Sequence, residues 1–127
     1  MSTSKILVVE DARAMLILLK YHLQNAGFEL YTAENGFEAL KVCETVTPDL
    51  IISDMMMPIM GGIEFRNELQ KNERLRDIPF IFLTAKAQVK EELQEANLKI
   101  TAYVRKPFDP DKLLDDVRSI LLSKEAA

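Results

Sequence analysis

Short apolar runs alternate along this chain with longer stretches whose apolar residues recur at helical spacing. Ile6-Leu7-Val8-Val9, Leu50-Ile51-Ile52-Ser53, Phe80-Ile81-Phe82-Leu83 and Tyr103-Val104-Arg105 read as strands. Phe28 to Ala33 is a further strand, less apolar and so expected at or near a sheet edge. Met15, Leu16, Leu19, Leu23 and Ala26 follow i, i+3, i+4 spacing, which predicts a helix from Arg13 to Ala26, stopped by Gly27. Phe37, Leu40, Val42 and Cys43 predict a second helix to about Val46, broken by Thr47-Pro48-Asp49. After the loop Met55 to Gly62, helices are expected over Ile63–Gln70, Val89–Leu98 and from Asp109-Pro110 to about Leu122, with Ile78-Pro79 opening the fourth strand.

Repeated βα units imply an open parallel sheet with helices on both faces, because each crossover is right-handed. The order 2-1-3-4-5, a flavodoxin-like (βα)5 three-layer sandwich, puts the switch point between the first and third strands. The apolar runs end in Glu10-Asp11, Asp54, Thr84 and Lys106, so this sheet would gather three carboxylates, a hydroxyl and an ammonium on one rim. Such a set can hold a divalent cation and a phosphoryl group, with Asp54 the residue phosphorylated.

Length and composition narrow the picture further. The 127 residues are expected to form one domain, with 48% hydrophobic and 28% charged residues, ordinary values for a water-soluble fold. A net charge of -4 with interspersed signs argues against direct nucleic-acid binding. No apolar stretch approaches a bilayer span and no secretory leader is visible, so a cytoplasmic protein without a membrane partner is expected. The single cysteine, Cys43, falls on an apolar helix face and reads as buried and inert. His22 reads as an ordinary helix residue, and the methionines at 55, 56, 57 and 60 as loop and core packing.

Val9-Glu10-Asp11, Ser53-Asp54-Met55-Met56-Met57-Pro58, Leu83-Thr84-Ala85 and Tyr103-Val104-Arg105-Lys106-Pro107-Phe108 together resemble the receiver domain of two-component response regulators, of the chemotaxis-type single-domain kind, over residues 1–127. The resemblance implies magnesium (or manganese) held by Asp11, Asp54 and the Met56 carbonyl, with Glu10 acting mainly through coordinated water. Asp54 would take a phosphoryl group from a sensor histidine kinase or a histidine phosphotransfer protein. Lys106 and Thr84 would stabilise the transferred group, and Ala85 would leave room for it. Phosphorylation would draw Thr84 inward and let Tyr103 bury its ring, changing the surface formed by Val89–Leu98, the fifth strand and the last helix. A cis Lys106-Pro107 bond is implied as well. On this reading the chain is a stand-alone switch acting on a downstream protein target, monomeric or dimerising on phosphorylation, and not a turnover enzyme.

Two rivals share the architecture. A magnesium-dependent phosphohydrolase wants an acidic residue two positions after its nucleophile, where this chain has Met56. A flavin carrier wants a phosphate-cradling loop after the first strand, where Glu10-Asp11 would repel phosphate. The chain also departs from the family pattern. Lys99-Ile100 stands where a Gly-Ala pair is usual, and Gly61 replaces a common acidic residue. Met56 and Lys86 flank the expected mouth of the site and are expected to tune phosphoryl lifetime through water access.

Overall fold

The computed structural model describes residues 3–85 and 101–126, and side chains up to residue 123. The helix expected over Val89–Leu98, together with Lys86 and Lys99-Ile100, lies outside the described residues. β1 (Lys5–Val9), β2 (Glu29–Ala33), β3 (Leu50–Asp54), β4 (Phe80–Thr84) and β5 (Ala102–Arg105) form one parallel sheet. Its order is β2-β1-β3-β4-β5, the flavodoxin-like arrangement expected above. The helices are α1 (Arg13–Asn25), α2 (Gly36–Thr45), α3 (Gly62–Gln70) and α4 (Pro110–Ala126).

β3 and β4 are buried along their whole length and β1 beyond its first residue, as apolar strands covered on both faces must be. Successive side chains take opposite faces. Phe80 and Phe82 join Phe65, Leu69, Ala39 and Cys43 under α2 and α3. Ile81 and Leu83 join Leu19, Leu23, Leu113, Val117 and Leu121 under α1 and α4. Each fully buried aliphatic or aromatic side chain contributes roughly 1.5–3 kcal/mol through area removed from water. β2 carries only one buried residue and β5 none, which fits the edge position expected for β2.

Boundaries move for local reasons. β4 begins at Phe80 rather than at Ile78-Pro79: the Ile78 N–H turns back to Leu75, and Pro79 has no N–H and only accepts from Ile51. α2 begins at Gly36 because the Asn35 side chain accepts from the Glu38 N–H at 2.9 Å, while the Glu38 carboxylate accepts from the Glu34 N–H at 3.0 Å. Phe37, one of the apolar residues that predicted this helix, is 48% exposed, with the Lys41 ammonium 4.6 Å from its ring centre. α1 ends one residue before the expected Ala26, and Gly27 follows at φ 95°, the left-handed conformation that closes a helix. Asp109 caps α4 through the Asp111 N–H at 3.0 Å, and the helix continues past Leu122 to Ala126.

Candidate functional site

The ends of β1, β3, β4 and β5 meet on one rim of the sheet, and the sheet itself places the side chains. Glu10 follows β1, and its N–H donates to the Ala33 carbonyl at 3.0 Å, extending the β1–β2 ladder by one step. Its side chain is fully buried. Asp54 ends β3, paired in register with Leu83, and is 8% exposed. Thr84 ends β4 and is buried. Lys106 follows β5, tied to β4 by its N–H to the Thr84 carbonyl at 2.7 Å. From there its stem brings Nζ within 2.8 Å of Glu10 Oε1 and 3.1 Å of Asp54 Oδ2.

Asp11 is exposed at the mouth, yet Glu10, Asp11 and Asp54 each offer a carboxylate oxygen within 4.8 Å of the others. The Met56 N–H donates to Asp54 Oδ1 at 3.4 Å, and the Ala12 N–H to Glu10 Oε2 at 3.4 Å, both long contacts. Burial pushes the Glu10 carboxyl up to about 7, the neighbouring Asp54 adds to that, and Lys106 opposes it. Burial pulls the Lys106 ammonium down, but Glu10 and Asp54 outweigh it, leaving the lysine above its ordinary value and charged at neutral pH. Three carboxylates with one ammonium among them are short of positive charge, and their donors are all oxygens. That chemistry fits a hard divalent cation and not a soft one.

The sulfurs take no part in this cluster. Met55 is buried, and Met57 and Met60 pack against the α2–α3 side of the core. Cys43 is buried in that core, its thiol pushed up to about 11 by burial, which keeps it protonated and inert as expected. His22 lies on α1, edge-on to Tyr21, away from the rim residues in sequence and fold. Tyr103 is 47% exposed on β5, opposite Phe82 in the sheet, and borders a surface cavity of about 340 Å³ with Phe108, Lys112 and Asp116. The Lys106-Pro107 bond is cis, as expected.

Two positions escaped the sequence reading. A Cβ added to Gly62 would lie 2.2 Å from the Asp54 carbonyl oxygen and 2.8 Å from the Phe82 ring, so α3 starts directly behind Asp54 only because that side chain is absent. The second Gly of Gly61-Gly62 was the available signal. Ile59 has φ 69°, and the Met60 N–H donates back to the Pro58 carbonyl at 2.7 Å, closing a three-residue turn of the rarer, strained hand. Its side chain is 81% exposed. Nothing in the sequence announces it, since a β-branched residue argues against that backbone.

The sequence model of the response regulator receiver domain matches residues 6–118. The chain belongs to that family. It is 38% identical to the alkaline phosphatase synthesis transcriptional regulatory protein PhoP of Bacillus subtilis, over 97% of this chain and 50% of PhoP. It is 32% identical to the DNA-binding dual master transcriptional regulator RpaA of Synechocystis, over 92% of this chain and 48% of RpaA. The chain thus spans about half the length of these curated relatives. Among solved structures, the response regulator TrrA of Thermotoga maritima, in complex with Mg(2+)-BeF, superposes with TM-score 0.80 at 38% identity, covering 92% of this chain and 98% of that one. The chemotaxis response regulator CheY4 of Vibrio cholerae superposes with TM-score 0.86 at 30% identity, covering 94% and 99%.

As a receiver domain the chain is the phosphoacceptor and signalling switch of a two-component system. The expectation of no nucleic-acid partner does not survive the comparison, because relatives matched across about half of their length are transcriptional regulators and one is named as DNA-binding. Net charge reports on the surface of the residues counted. An acidic receiver says nothing about basic surface carried by the other half of such a protein. Among the described residues no helix is long and apolar enough to cross a membrane.

Proposed function

We propose that Asp54 of this receiver domain accepts the phosphoryl group, with Thr84 and Lys106 as the assisting side chains. The observation that carries this reading is Lys106 Nζ lying 2.8 Å from Glu10 and 3.1 Å from Asp54, where three strand ends converge. An Asp54 oxygen attacks phosphorus, the P–N bond to the donor histidine breaks, and the released imidazole takes up a proton. Lys106 meets the charge that builds on the phosphoryl oxygens, a role worth roughly 3–4 kcal/mol of barrier for one well-placed donor. Thr84 donates its hydroxyl to the same group. Asp11, Asp54 and the Met56 carbonyl would hold magnesium, with Glu10 reaching it through water. When bound, the ion would supply positive charge against the oxygens of the phosphoryl group.

Residues 1–127 act, on this reading, as one receiver unit that is switched rather than turned over, in the cytoplasm, with Thr84 and Tyr103 linking Asp54 to the β5–α4 side. The likeness to CheY4 supports output by noncovalent contact. The higher identity to PhoP favours transcriptional output, and we adopt that for the role of the whole protein. Incubation with acetyl phosphate and magnesium, followed by intact-mass measurement, should give a phosphoryl-sized adduct on the wild type and none on Asp54→Asn. An adduct on both, or on neither, would refute the assignment.

A further inference from the structure

The methionines that follow Asp54 sort sharply by exposure. Met55 is 4% exposed and Met57 and Met60 pack against the core, whereas Met56 is 65% exposed. Among the described residues, Met56 is the only methionine that counts as an exposed large apolar side chain. Its backbone also lies beside the site, its N–H making a long contact to Asp54 Oδ1 at 3.4 Å. The geometry points to Met56 as an oxidation site, its thioether converted to the sulfoxide by hydroperoxides or hypohalous acids, with faster loss of the phosphoryl group from Asp54 as the consequence. This rests on Asp54 being the phosphoacceptor.

The step balances simply with a hydroperoxide. A sulfur lone pair attacks one peroxide oxygen, the S–O bond forms and the O–O bond breaks. The second oxygen leaves as hydroxide (or alkoxide) and takes the proton from the oxygen now bound to sulfur, becoming water (or an alcohol). Sulfur is oxidised and the peroxide reduced. Exposure sets the order of attack, so Met56 reacts before Met55, Met57 and Met60. The product differs from its parent in the property that matters at a site mouth. A thioether is apolar and binds water poorly, while a sulfoxide oxygen is a strong acceptor. Hydrolysis of an acyl phosphate needs a water in line with the P–O bond, and a sulfoxide on the lip beside Asp54 holds water there.

Graded hydrogen peroxide treatment of the native protein, with peptide mass mapping, should oxidise Met56 ahead of Met15, Met55, Met57 and Met60, the other methionines among the described residues. After charging with acetyl phosphate and magnesium, the oxidised protein should lose phosphate roughly two- to fivefold faster than the untreated one, the scale expected for reorganising one ordered water. Methionine sulfoxide reductase should restore the slower loss. Met56→Leu, whatever its own starting rate, should not respond to peroxide. Oxidation of Met55 ahead of Met56, an unchanged half-life in protein oxidised at Met56, or an equal peroxide response in Met56→Leu would each overturn the inference while leaving the phosphoacceptor intact. Absence of any adduct on untreated wild type would instead overturn the parent reading and this inference with it.

Discussion

The rim has a buried half and an open half. Glu10, Asp54 and Thr84 stand at the ends of β1, β3 and β4, and none is more than 8% exposed. Asp11, Met56 and Lys106 reach the same rim from loops, Tyr103 stands further back on the edge strand β5, and Met56 and Tyr103 are 65% and 47% exposed. The buried half takes its positions from backbone pairing, so its oxygen atoms are set by register. The open half is set by side-chain reach and by turns, and can change without disturbing the sheet. Under the proposed function, reactive chemistry belongs to the first and adjustment to the second, with Lys106 bridging them through Glu10 and Asp54.

That division can be broken in several ways. The largest effect is expected for Lys106→Ala, which should slow phosphoryl uptake from acetyl phosphate by about 10²- to 10³-fold. In the same variant, calorimetric titration should show tighter magnesium binding, because a competing ammonium has gone. Uptake at the wild-type rate would show that the open half contributes nothing to the chemistry. Next, Gly62→Ala should cost about 2–3 kcal/mol in urea unfolding, since the added methyl meets the Asp54 backbone carbonyl rather than a side chain that could yield. A neutral result would mean that Asp54 is less firmly held than the packing implies.

Glu10 gives the pH test. Its carboxyl is raised from 4.5 to about 7, so between these values the native state keeps a proton that the unfolded chain has lost. Metal-free stability should therefore be fullest below pH 4.5 for this group and fall as pH rises through about 7. Glu10→Gln should flatten that part of the profile in thermal melts at a series of pH values. Magnesium affinity should rise over the same interval, because ionised Glu10 adds a negative charge beside the oxygens that would hold the ion. A wild-type profile with no slope there would place Glu10 in contact with water. The smallest effect belongs to the open half: Ile59→Asn should stabilise the fold by about 1 kcal/mol, because asparagine tolerates the left-handed backbone. Destabilisation instead would show that the isoleucine side chain packs on something.

The sheet and the site residues were legible for the same reason. Runs such as Ile6 to Val9 and Leu50 to Ser53 are too apolar for anything but a covered parallel strand, and the chain order then leaves Glu10, Asp54, Thr84 and Lys106 on one edge. Pattern cannot report how deep an end residue sinks, so the full burial of Glu10 and its raised acidity emerge only from three-dimensional packing. Close approach left only a partial signal: the Gly61-Gly62 pair reads as loop flexibility, whereas Gly62 lets α3 touch β3. Phe37 shows the reverse error, an aromatic at apolar spacing that stays in water beside Lys41. The charge-based exclusion of nucleic acid erred because net charge reports only on the residues counted, which span about half the length of curated relatives that regulate transcription.

One ammonium answering two carboxylates is a counterion on a leash. Its local concentration is fixed by the length of the Lys106 stem and does not fall when the protein is diluted. Any free cation seeking the same oxygens must outcompete it, so weakly attracted monovalent ions are kept out, and occupancy follows the ambient level of small, highly charged ones. The switch is thereby given a threshold of its own before any partner arrives.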